Sequence, residues 1–517
     1  MIIKAITIEN FKGIREPVKV EFKPITLLFG PNSAGKSTIV QALHYAREIF
    51  ERNNVDPGRT LIGGSAIDFG GFQQLVHNHN LDLGIRLKID LDLSKEDLPN
   101  YFNEYLAIVE LDEVDKLVRH VGAAWVEVII KWMPLLGKPV VSSYKVGIND
   151  ELFAQIEVSA DARQVYISHV NTSHNIFALD MGKDGSAEES YWVRNINEIT
   201  GSDNDAEKRI NIKQVSALPH WGVQIVGLNT GSLDADQAEE TALALSRLIS
   251  GPGEILRDAL RDNRYLGPLR EVPSRNYLPA LSPDESRWAT GIAAWDVLYN
   301  AGDQFIKETS DWLSKESRLN SGYRIDMKKY KELDMSSSLW LSLTSKELLF
   351  DDEEAIEEIL TLPEKRRLFL QDEKNGIEVL PQDIGVGIAQ VLPVIVMALH
   401  SKGGVAAIEQ PELHIHPAFQ VALGDLFITQ SKKKDICFLL ETHSEHLLLR
   451  LLRRIRETHE NDLPSEDSSL SSDMIAIYYI EHMDQGMQCM HMDVDESGEF
   501  ANRWPRGFFE ERDEELF

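Results

Sequence analysis

The sequence has few cysteines and no long apolar run, and both absences narrow what it can encode. With two cysteines in 517 residues, neither a disulfide framework nor a cysteine-rich metal site is expected. A membrane-spanning helix needs roughly 18 apolar residues, whereas the longest apolar stretch, 391–399, is short and contains a proline. The first residues lack the basic and apolar segments of a secretory signal. These observations predict a cytoplasmic protein without a membrane partner.

Basic residues are also scarce relative to acidic ones. The chain has 53 Lys and Arg against 83 Asp and Glu, which gives a formal net charge of −30. Because nucleic-acid binding depends on displacing counterions with Lys and Arg, such a chain is a poor bulk counterion. Two local basic segments, Lys432–Lys434 and Arg450–Arg456, are typical of solvated helix faces. Nucleic-acid contact, direct or through a partner, therefore stays open but local.

The order of sequence patterns predicts an α/β fold that is split by a long insertion. Residues 1–93 contain strand patterns and one helix, and 94–380 is first β-rich and then helical. From 381 to 460, short apolar strands alternate with helical patterns, which is typical of a parallel sheet. A short β-rich tail covers 474–517. We expect residues 1–93 and 381–460 to form the two halves of one domain.

A phosphate-binding loop is the clearest motif. The segment Gly30-Pro-Asn-Ser-Ala-Gly-Lys-Ser-Thr38 matches G-x-x-x-x-G-K-[ST] and lies between a short apolar strand, 25–29, and a predicted helix. This arrangement directs backbone N–H groups and the positive end of a helix at a polyphosphate. Lys36 would reach the β- and γ-phosphates of ATP, and the Ser37 hydroxyl would bind Mg²⁺. The candidate ATP-binding residues of the loop are Asn32, Gly35, Lys36, Ser37 and Thr38.

Two later strands end in polar residues that suit the same chemistry. A phosphate loop requires a second strand that carries an acid for the Mg²⁺ shell, and the apolar segment 405–408 leads directly into Glu409. The next apolar segment ends in Glu441-Thr-His-Ser444, which suits the sensing of a γ-phosphate. Both strands lie far beyond the loop in sequence, so the nucleotide-binding domain would be interrupted.

These segments together resemble the ABC-type ATPase heads of the SMC, Rad50 and OLD families. The resemblance rests on Asn10-Phe-Lys12, the phosphate loop, the block Ile408–Pro417 and Glu441–Ser444. More narrowly, the chain resembles prokaryotic antiviral-defence ATPases that end in Trp-Pro-x-Gly-Phe-Phe, such as the PtuA-type ATPases of Septu and retron-associated systems. The resemblance implies ATP, Mg²⁺ and paired heads. Each ATP would lie between the phosphate loop of one subunit and the signature segment of the other.

The resemblance also assigns two further segments. The signature segment corresponds to Asp383–Gln390, with Gly385 and Gly387 as phosphate-binding residues, although the serine of the usual signature is missing. A plain helix cap is the alternative. The glutamine that links the metal to the insertion corresponds to Gln73 or Gln74, which could equally be loop residues.

The expected catalytic residues depart from the family pattern at one position. Most ABC-type heads have a glutamate where this chain has Gln410, and an amide can orient water but cannot take its proton. Glu412 is either a substitute base or a structural acid. His443 corresponds to the switch histidine that contacts the γ-phosphate. With Glu409, Gln410, Glu412 and His443 in these roles, we expect slow or conditional ATP hydrolysis.

The resemblance predicts an ATPase subunit of an antiphage defence complex. It would form a homodimer or higher oligomer through its heads and control a separate effector, for which an HNH nuclease is the candidate. The chain after His443 is too short for the nuclease domain of OLD proteins, so we do not expect nuclease activity here. The aromatic segment 504–509 is either a docking peptide or a satellite of the core. The alternative function is a Rad50- or SMC-like DNA-repair ATPase that acts directly on DNA.

Overall fold

A computed structural model describes residues 1–101, 112–180, 190–200, 210–226, 233–337, 359–483 and 486–501, together with positions 339, 340, 344, 357 and 504. The strands in these ranges are β1 Ile3–Glu9, β2 Val18–Glu21, β3 Ile25–Phe29, β4 Ile85–Asp92, β5 Ala123–Met133, β6 Lys138–Ile148, β7 Glu151–Val158, β8 Val165–Val170, β9 Ile210–Ile212, β10 Arg264–Leu266, β11 Tyr323–Lys331, β12 Glu364–Asp372, β13 Ile377–Val379, β14 Gly403–Glu409, β15 Asp435–Glu441, β16 Ile475–Met483 and β17 Gly486–His491.

The helices in the described ranges alternate with these strands mainly in the last third of the chain. They are α1 Lys36–Arg52, α2 Phe72–Leu75, α3 Asp112–Val118, α4 Tyr191–Thr200, α5 Ala235–Arg261, α6 Ser286–Ala289, α7 Ile292–Asn300, α8 Asp303–Ser314, α9 Val386–His400, α10 Pro417–Lys433 and α11 Glu445–His459. The predicted strand before the phosphate loop, the helix after it and the alternating strands and helices after residue 383 are all confirmed.

A six-stranded sheet forms the centre of the α/β part, in the order β10-β14-β15-β3-β16-β17. The first five strands are parallel, and β17 pairs antiparallel with β16. Both faces of this sheet are covered, because neighbouring side chains on one strand belong to different core layers. Leu28 packs in one layer and Leu27 in the other. Burial on both faces explains why these strands read as continuous apolar runs rather than alternating ones.

The two core layers have different partners. The first layer contains α1 and α5 and the buried face of a second, eight-stranded sheet in the order β2-β1-β4-β5-β6-β7-β8-β9. The second layer contains α9, α10 and α11. Helices or sheet thus lie on each side of the parallel strands, which is the architecture of an α/β phosphate-loop domain.

The sheets do not follow the divisions expected from the sequence. The eight-stranded sheet is antiparallel and joins β1, β2 and β4 to β5–β9, so the boundary expected at residue 93 falls inside one sheet. The central sheet takes β10 from the range 94–380 and β16 from the tail. β16 pairs directly with β3 because its residues Ile475–Ile480 are buried on both faces. Sequence periodicity identifies strands but not their neighbours.

A third sheet, β11-β12-β13, was not expected. β11 and β12 are antiparallel and carry many charged residues, so their patterns show little apolar alternation. Across the described part of the chain, no helix is both long and apolar enough to cross a membrane.

Candidate nucleotide-binding site

The carboxyl ends of the parallel strands bring the candidate residues together. Glu409 ends β14, Glu441 ends β15, and the two residues are paired in the register of the sheet. β15 also pairs with β3, which leads directly into the phosphate loop. In open α/β sheets, ligands bind in the crevice beyond the carboxyl ends of the strands. Segments far apart in sequence therefore meet at one edge.

The phosphate loop has the backbone that its glycines predict. Gly35 caps α1 with φ +101°, and Gly30 has φ +143°, so both lie where side chains are disfavoured. A Cβ at Gly30 would lie 2.0 Å from the Ile480 carbonyl oxygen. The loop is thus packed against β16, which fixes the start of α1 relative to the sheet.

Lys36 and Ser37 are both held inward. Lys36 is 3% exposed, and its Nζ donates to the carbonyl oxygens of Gly30 and Pro31, each at 2.9 Å. Ser37 Oγ donates to Glu441 Oε2 at 2.7 Å, and Lys36 Nζ lies 3.9 Å from Glu441 Oε1. Burial lowers the pKa of Lys36, against the opposing effect of Glu441. Glu441 therefore contacts both side chains that a nucleotide and its metal would engage.

Glu409 lies beside this pair and is largely buried. Tyr265 donates from its hydroxyl to Glu409 Oε1 at 3.1 Å. Burial and the negative charge of Glu441 raise the pKa of Glu409 to about 7, and burial raises that of Glu441. Two neighbouring carboxyl groups that disfavour each other's charge can be relieved by a cation.

Glu412 is engaged in hydrogen bonds that tie two strand ends together. Its carboxylate accepts from the Thr442 hydroxyl at 2.8 Å and from the backbone N–H of His443 at 2.7 Å. Burial raises its pKa despite these bonds. Both carboxylate oxygens thus orient the segment that carries His443, as expected for the structural-acid alternative.

His443 has a side-chain atom without a partner. Its Nε2 is buried and makes no hydrogen bond within the described part of the chain. Burial and the charge of Lys36 lower the pKa of His443, so the ring is held neutral at physiological pH. A neutral imidazole offers an N–H donor or a lone pair to a ligand, and an orphaned polar atom next to Lys36 fits a phosphate oxygen.

The oxygen donors at this edge fit Mg²⁺. Ser37, Glu409 and Glu441 offer one hydroxyl and two carboxylates, which are hard ligands of the kind this ion takes together with phosphate oxygens. Among described residues, no three His, Cys, Asp or Glu side chains form a metal site by themselves, so Mg²⁺ here would also need the Ser37 hydroxyl and phosphate oxygens. A bound Mg²⁺ would neutralise charge on the phosphates. Gln73, in contrast, is exposed on α2, and the structure shows no contact between it and these donors.

The expected signature segment lies at the start of α9. Gly385 caps the helix with ordinary φ −61°, and Val386 is 60% exposed. Gly387 packs closer, since a Cβ there would lie 3.2 Å from the His414 carbonyl oxygen. Within the first turn of the helix, Val386 is thus open to solvent, whereas Gly387 faces the backbone at His414.

Arg270, to which the sequence analysis gave no role, connects these parts. Arg270 is 4% exposed, and burial lowers its pKa to about 10. It bonds the backbone at Glu409 and the side chain of Gln390 in α9. An open cavity of about 510 Å³ is lined by Ser37, Glu409, Arg270 and Gln390 among others. The signal available was the strand-to-turn segment Tyr265-Leu-Gly-Pro-Leu-Arg270, but the neighbours of this strand in the sheet were not predictable.

The basic segment on α11 is mostly paired with acids. Arg454 donates to Asp425 at 2.8 Å and to Glu457 at 2.5 Å, and Arg450 lies 3.7 Å from Asp425. Arg453 also pairs with Glu457, at 2.6 Å. These contacts are those of a helix face fixed to the core rather than of a free cationic patch.

The aromatic tail contributes to the core at its first residue. The Trp504 ring lies 4.9 Å from that of Phe500, 5.6 Å from Phe29 and 5.9 Å from Tyr479. Trp504 therefore behaves as a satellite of the second core layer. Residues 505–509 of the predicted docking peptide lie outside the described residues.

Comparisons with known sequences agree with this geometry. Residues 1–212 match the family described as "AAA ATPase domain", and residues 252–450 match "AAA domain, putative AbiEii toxin, Type IV TA system". No curated protein matches the chain.

Several solved SMC head structures are similar over nearly the whole chain, each at 9% identity. A head bound to the C-terminal winged-helix domain of ScpA has a TM-score of 0.38 and covers 96% of this chain and 98% of its own. A head with an extended coiled coil, bound to the ScpA C-terminal domain derived from Pyrococcus furiosus, scores 0.36 and covers 95% and 96%. The Thermotoga maritima head scores 0.36 and covers 96% and 100%.

Each of the two family matches contains one part of the site. The phosphate loop lies in the first match, and Glu409 and Glu441 lie in the second. Together with the parallel sheet, they show that the chain has an α/β P-loop ATPase fold and carries AAA-family ATPase domains.

Proposed function

We propose that the chain is the ATP-binding subunit of an antiviral defence complex. Two copies would pair through their nucleotide-binding faces when ATP and Mg²⁺ are bound, and the pair would control a separate effector. The observation that carries the proposal is the contrast in exposure between two glycine-opened helices. Lys36 at the start of α1 is enclosed, whereas Val386 at the start of α9 is exposed. An exposed helix N-terminus suits an anion that a second molecule brings to it.

The site supports the use of ATP as a latch more than as fuel. Gln410 follows Glu409 and lacks a carboxylate that could take a proton from water. Glu412 cannot easily replace it, because both its oxygens accept hydrogen bonds from Thr442 and His443. We expect hydrolysis that is slow, or that depends on a partner.

The defence role rests on the resemblance and on one family description. The Trp-Pro-Arg-Gly-Phe-Phe segment resembles that of antiviral ATPases, and the family matched by residues 252–450 is described as a putative toxin of a toxin–antitoxin system. The effector that we propose is a separately encoded HNH nuclease.

The alternative, an SMC- or Rad50-like ATPase that acts directly on DNA, has less support. Such a protein needs cationic side chains that can displace counterions. The net charge is −30, and the arginines Arg450, Arg453 and Arg454 face Asp425 and Glu457.

Light scattering on the purified chain, with and without ATP and Mg²⁺, tests the proposal. We expect one copy without nucleotide and two with it, and a further mass increase when the proposed HNH nuclease is added. Lys36→Ala should stay at one copy under all conditions, because it removes the cation that holds the β- and γ-phosphates. A pair that forms equally without ATP, or no pair at all, would contradict the proposal.

A further inference from the structure

A buried arginine connects the signature helix to the strand that ends in Glu409. Arg270 Nη2 donates to the carbonyl oxygens of Glu409 at 2.7 Å and Gln410 at 3.1 Å. Its Nη1 donates to the carbonyl oxygen of Gln390 in α9 at 3.3 Å. One guanidinium group thus bonds to the backbone of two separate elements, the end of strand β14 and helix α9.

Gln390 returns the contact. Its Oε1 accepts from the Arg270 backbone N–H at 3.3 Å, and its Nε2 donates to the Arg270 carbonyl oxygen at 2.9 Å. The side-chain amide of Gln390 therefore bonds to both the N–H and the carbonyl oxygen of Arg270, as the backbone of a neighbouring β-strand would. Because Gln390 lies five residues after Gly385 on α9, this pairing sets where the open N-terminus of the helix lies.

Burying the Arg270 guanidinium costs free energy, which suggests that its position is important. A buried cation loses its hydration, and among the described residues no carboxylate forms an ion pair with Arg270. The carbonyl oxygens of Glu409, Gln410 and Gln390 accept from its two terminal nitrogens, and the nearby charges of Glu412 and Glu409 also favour the cation. A lysine could not reach all three oxygens in the same way, because its N–H donors diverge from one nitrogen, whereas the guanidinium spreads its donors over a planar fork.

The backbone that Arg270 holds is itself unusual. Gln410 has φ +45°, in the left-handed region that non-glycine residues rarely adopt, and its N–H donates to the Glu441 carbonyl oxygen at 2.7 Å. The guanidinium bonds on one side and this bond on the other hold the turn between them. The turn is where the water-orienting residue is expected to act, so its conformation is tied through Arg270 to α9.

We propose that Arg270 is a positioning residue that couples the nucleotide site of its own subunit to the signature surface offered to the partner subunit. The coupling runs from the Glu409–Gln410 backbone through the guanidinium to Gln390 and so to Gly385. This inference rests on the proposed ATP-dependent pairing. It adds one residue, Arg270, through which nucleotide binding at Glu409 and Gln410 would change the orientation of the signature surface.

A second contact offers a matched control. Arg275 Nη2 donates to Asp383 Oδ1 at 2.6 Å and joins the same loop to the residues just before α9. Both of these side chains are well exposed, at 66% and 46%. Exposed ion pairs contribute little, so Arg275→Lys keeps the loop and the charge but leaves the buried connection intact.

The test measures ATP binding and pairing separately in the full chain. ATP affinity is measured with a fluorescent ATP analogue at chain concentrations too low for pairing, and pairing is measured by light scattering with saturating ATP and Mg²⁺. Because Arg270 also lines the nucleotide cavity, Arg270→Lys is judged by the difference between the two assays, and we expect pairing to fall more than ATP affinity. Half-maximal pairing should need about tenfold more chain, the order expected for one lost charge-assisted hydrogen bond. Arg275→Lys should match the parent in both assays.

A second substitution protects the test against a folding defect. Gln390→Met keeps the side-chain volume and the helix but removes both side-chain hydrogen bonds to Arg270, and we expect the same selective loss of pairing. Thermal unfolding is recorded for each variant. If Arg270→Lys unfolds at a lower temperature than the parent, the test rests on Gln390→Met. If both substitutions leave pairing unchanged, or lower ATP affinity as much as pairing, the inference is wrong. If the parent chain does not pair, the proposed function fails instead.

Discussion

The phosphate loop and the signature segment are both glycine-containing turns that open a helix, yet they differ in what surrounds them. The phosphate loop is finished within one chain: Lys36 and Ser37 are held inward by Gly30, Pro31 and Glu441. The signature segment is exposed to solvent where α9 begins, with Val386 exposed and nothing within 4 Å of a Cβ at Gly385. The phosphate loop is thus enclosed by residues of its own chain, whereas the start of the signature helix is an exposed surface.

The two turns also differ in their position relative to the central sheet. The loop after β3 is flanked by β15 and β16, so polar groups from neighbouring strands reach it. The start of α9 is reached mainly from one side, through Arg270 and Arg275. Helix α1 thus begins at the end of a central strand, whereas α9 follows β13 of the third sheet, and this placement accompanies the difference in exposure between the two helix starts.

The strongest way to break this comparison is to block the signature surface without disturbing the fold. Gly385→Ala adds a methyl group in open space at an ordinary φ of −61°, so the chain should fold normally. The methyl group would stand between the backbone N–H groups and an incoming phosphate, and we expect pairing with ATP to weaken about tenfold or more. ATP binding by the dilute chain should not change.

Gly302→Ala is the matched control for this substitution. Gly302 also caps a helix, α8, with φ −76° and nothing within 4 Å of a new Cβ. Light scattering and nucleotide titration of both variants give the comparison. Equal pairing by the Gly385 variant and the parent would mean that the exposed turn is a plain helix cap.

A smaller effect is expected from restoring a carboxylate on the phosphate-loop side. Gln410→Glu places a group that can take a proton next to Glu409, and we expect steady-state ATP hydrolysis to rise several-fold. If the signature surface completes the site, the increase should appear only at concentrations at which the chain pairs. Glu412→Gln is the comparison, since it should disturb the Thr442 and His443 contacts without creating a base.

Measuring the hydrolysis rate at several chain concentrations shows whether a single chain hydrolyses ATP or whether the signature surface of a second chain is required. A rate per chain that rises for Gln410→Glu even in dilute solution would show that the phosphate-loop side hydrolyses ATP by itself. An unchanged rate at all concentrations would mean that the missing carboxylate is not what limits hydrolysis. Ordinary multiple-turnover hydrolysis by the parent chain would contradict the latch role.

The parts of this molecule that sequence could predict are local ones. The loop Gly30–Thr38, the strand before it and the helix after it depend on adjacent residues, and they were predicted closely. The α/β alternation after residue 383 was predicted for the same reason. Apolar runs and turn residues carry this information without reference to the rest of the chain.

The parts that were missed depend on which strands become neighbours. Glu441 contacts Ser37 because β15 lies between β14 and β3, and Arg270 contacts Glu409 because β10 forms the margin of the sheet. Neither strand order nor pairing is written in local periodicity. Gln73, assigned by resemblance, lies on α2, where the structure shows no contact with the other site residues. Its role stays a prediction.

The smallest effect concerns charge on the phosphate-loop side in the metal-free chain. Burial and Glu441 raise the pKa of Glu409 to about 7, above that of a carboxyl group in the unfolded chain. The folded state therefore holds this proton more tightly, and the stability it contributes is lost as pH rises through about 7. Glu409→Gln removes the titration, so its unfolding temperature should gain on the parent between pH 5.5 and 8, by on the order of 2 °C.

The measurement is thermal unfolding in EDTA across that pH range, with Gly385→Ala as the control. That variant leaves the carboxyl groups untouched and should follow the parent at every pH. Adding ATP and Mg²⁺ should reverse the order of parent and Glu409→Gln, since a divalent cation favours the carboxylate that the glutamine variant lacks. Parallel curves for all three chains in EDTA would show that Glu409 and Glu441 do not disfavour each other's charge. The phosphate-loop side would then be as relaxed as the signature surface before any ligand binds.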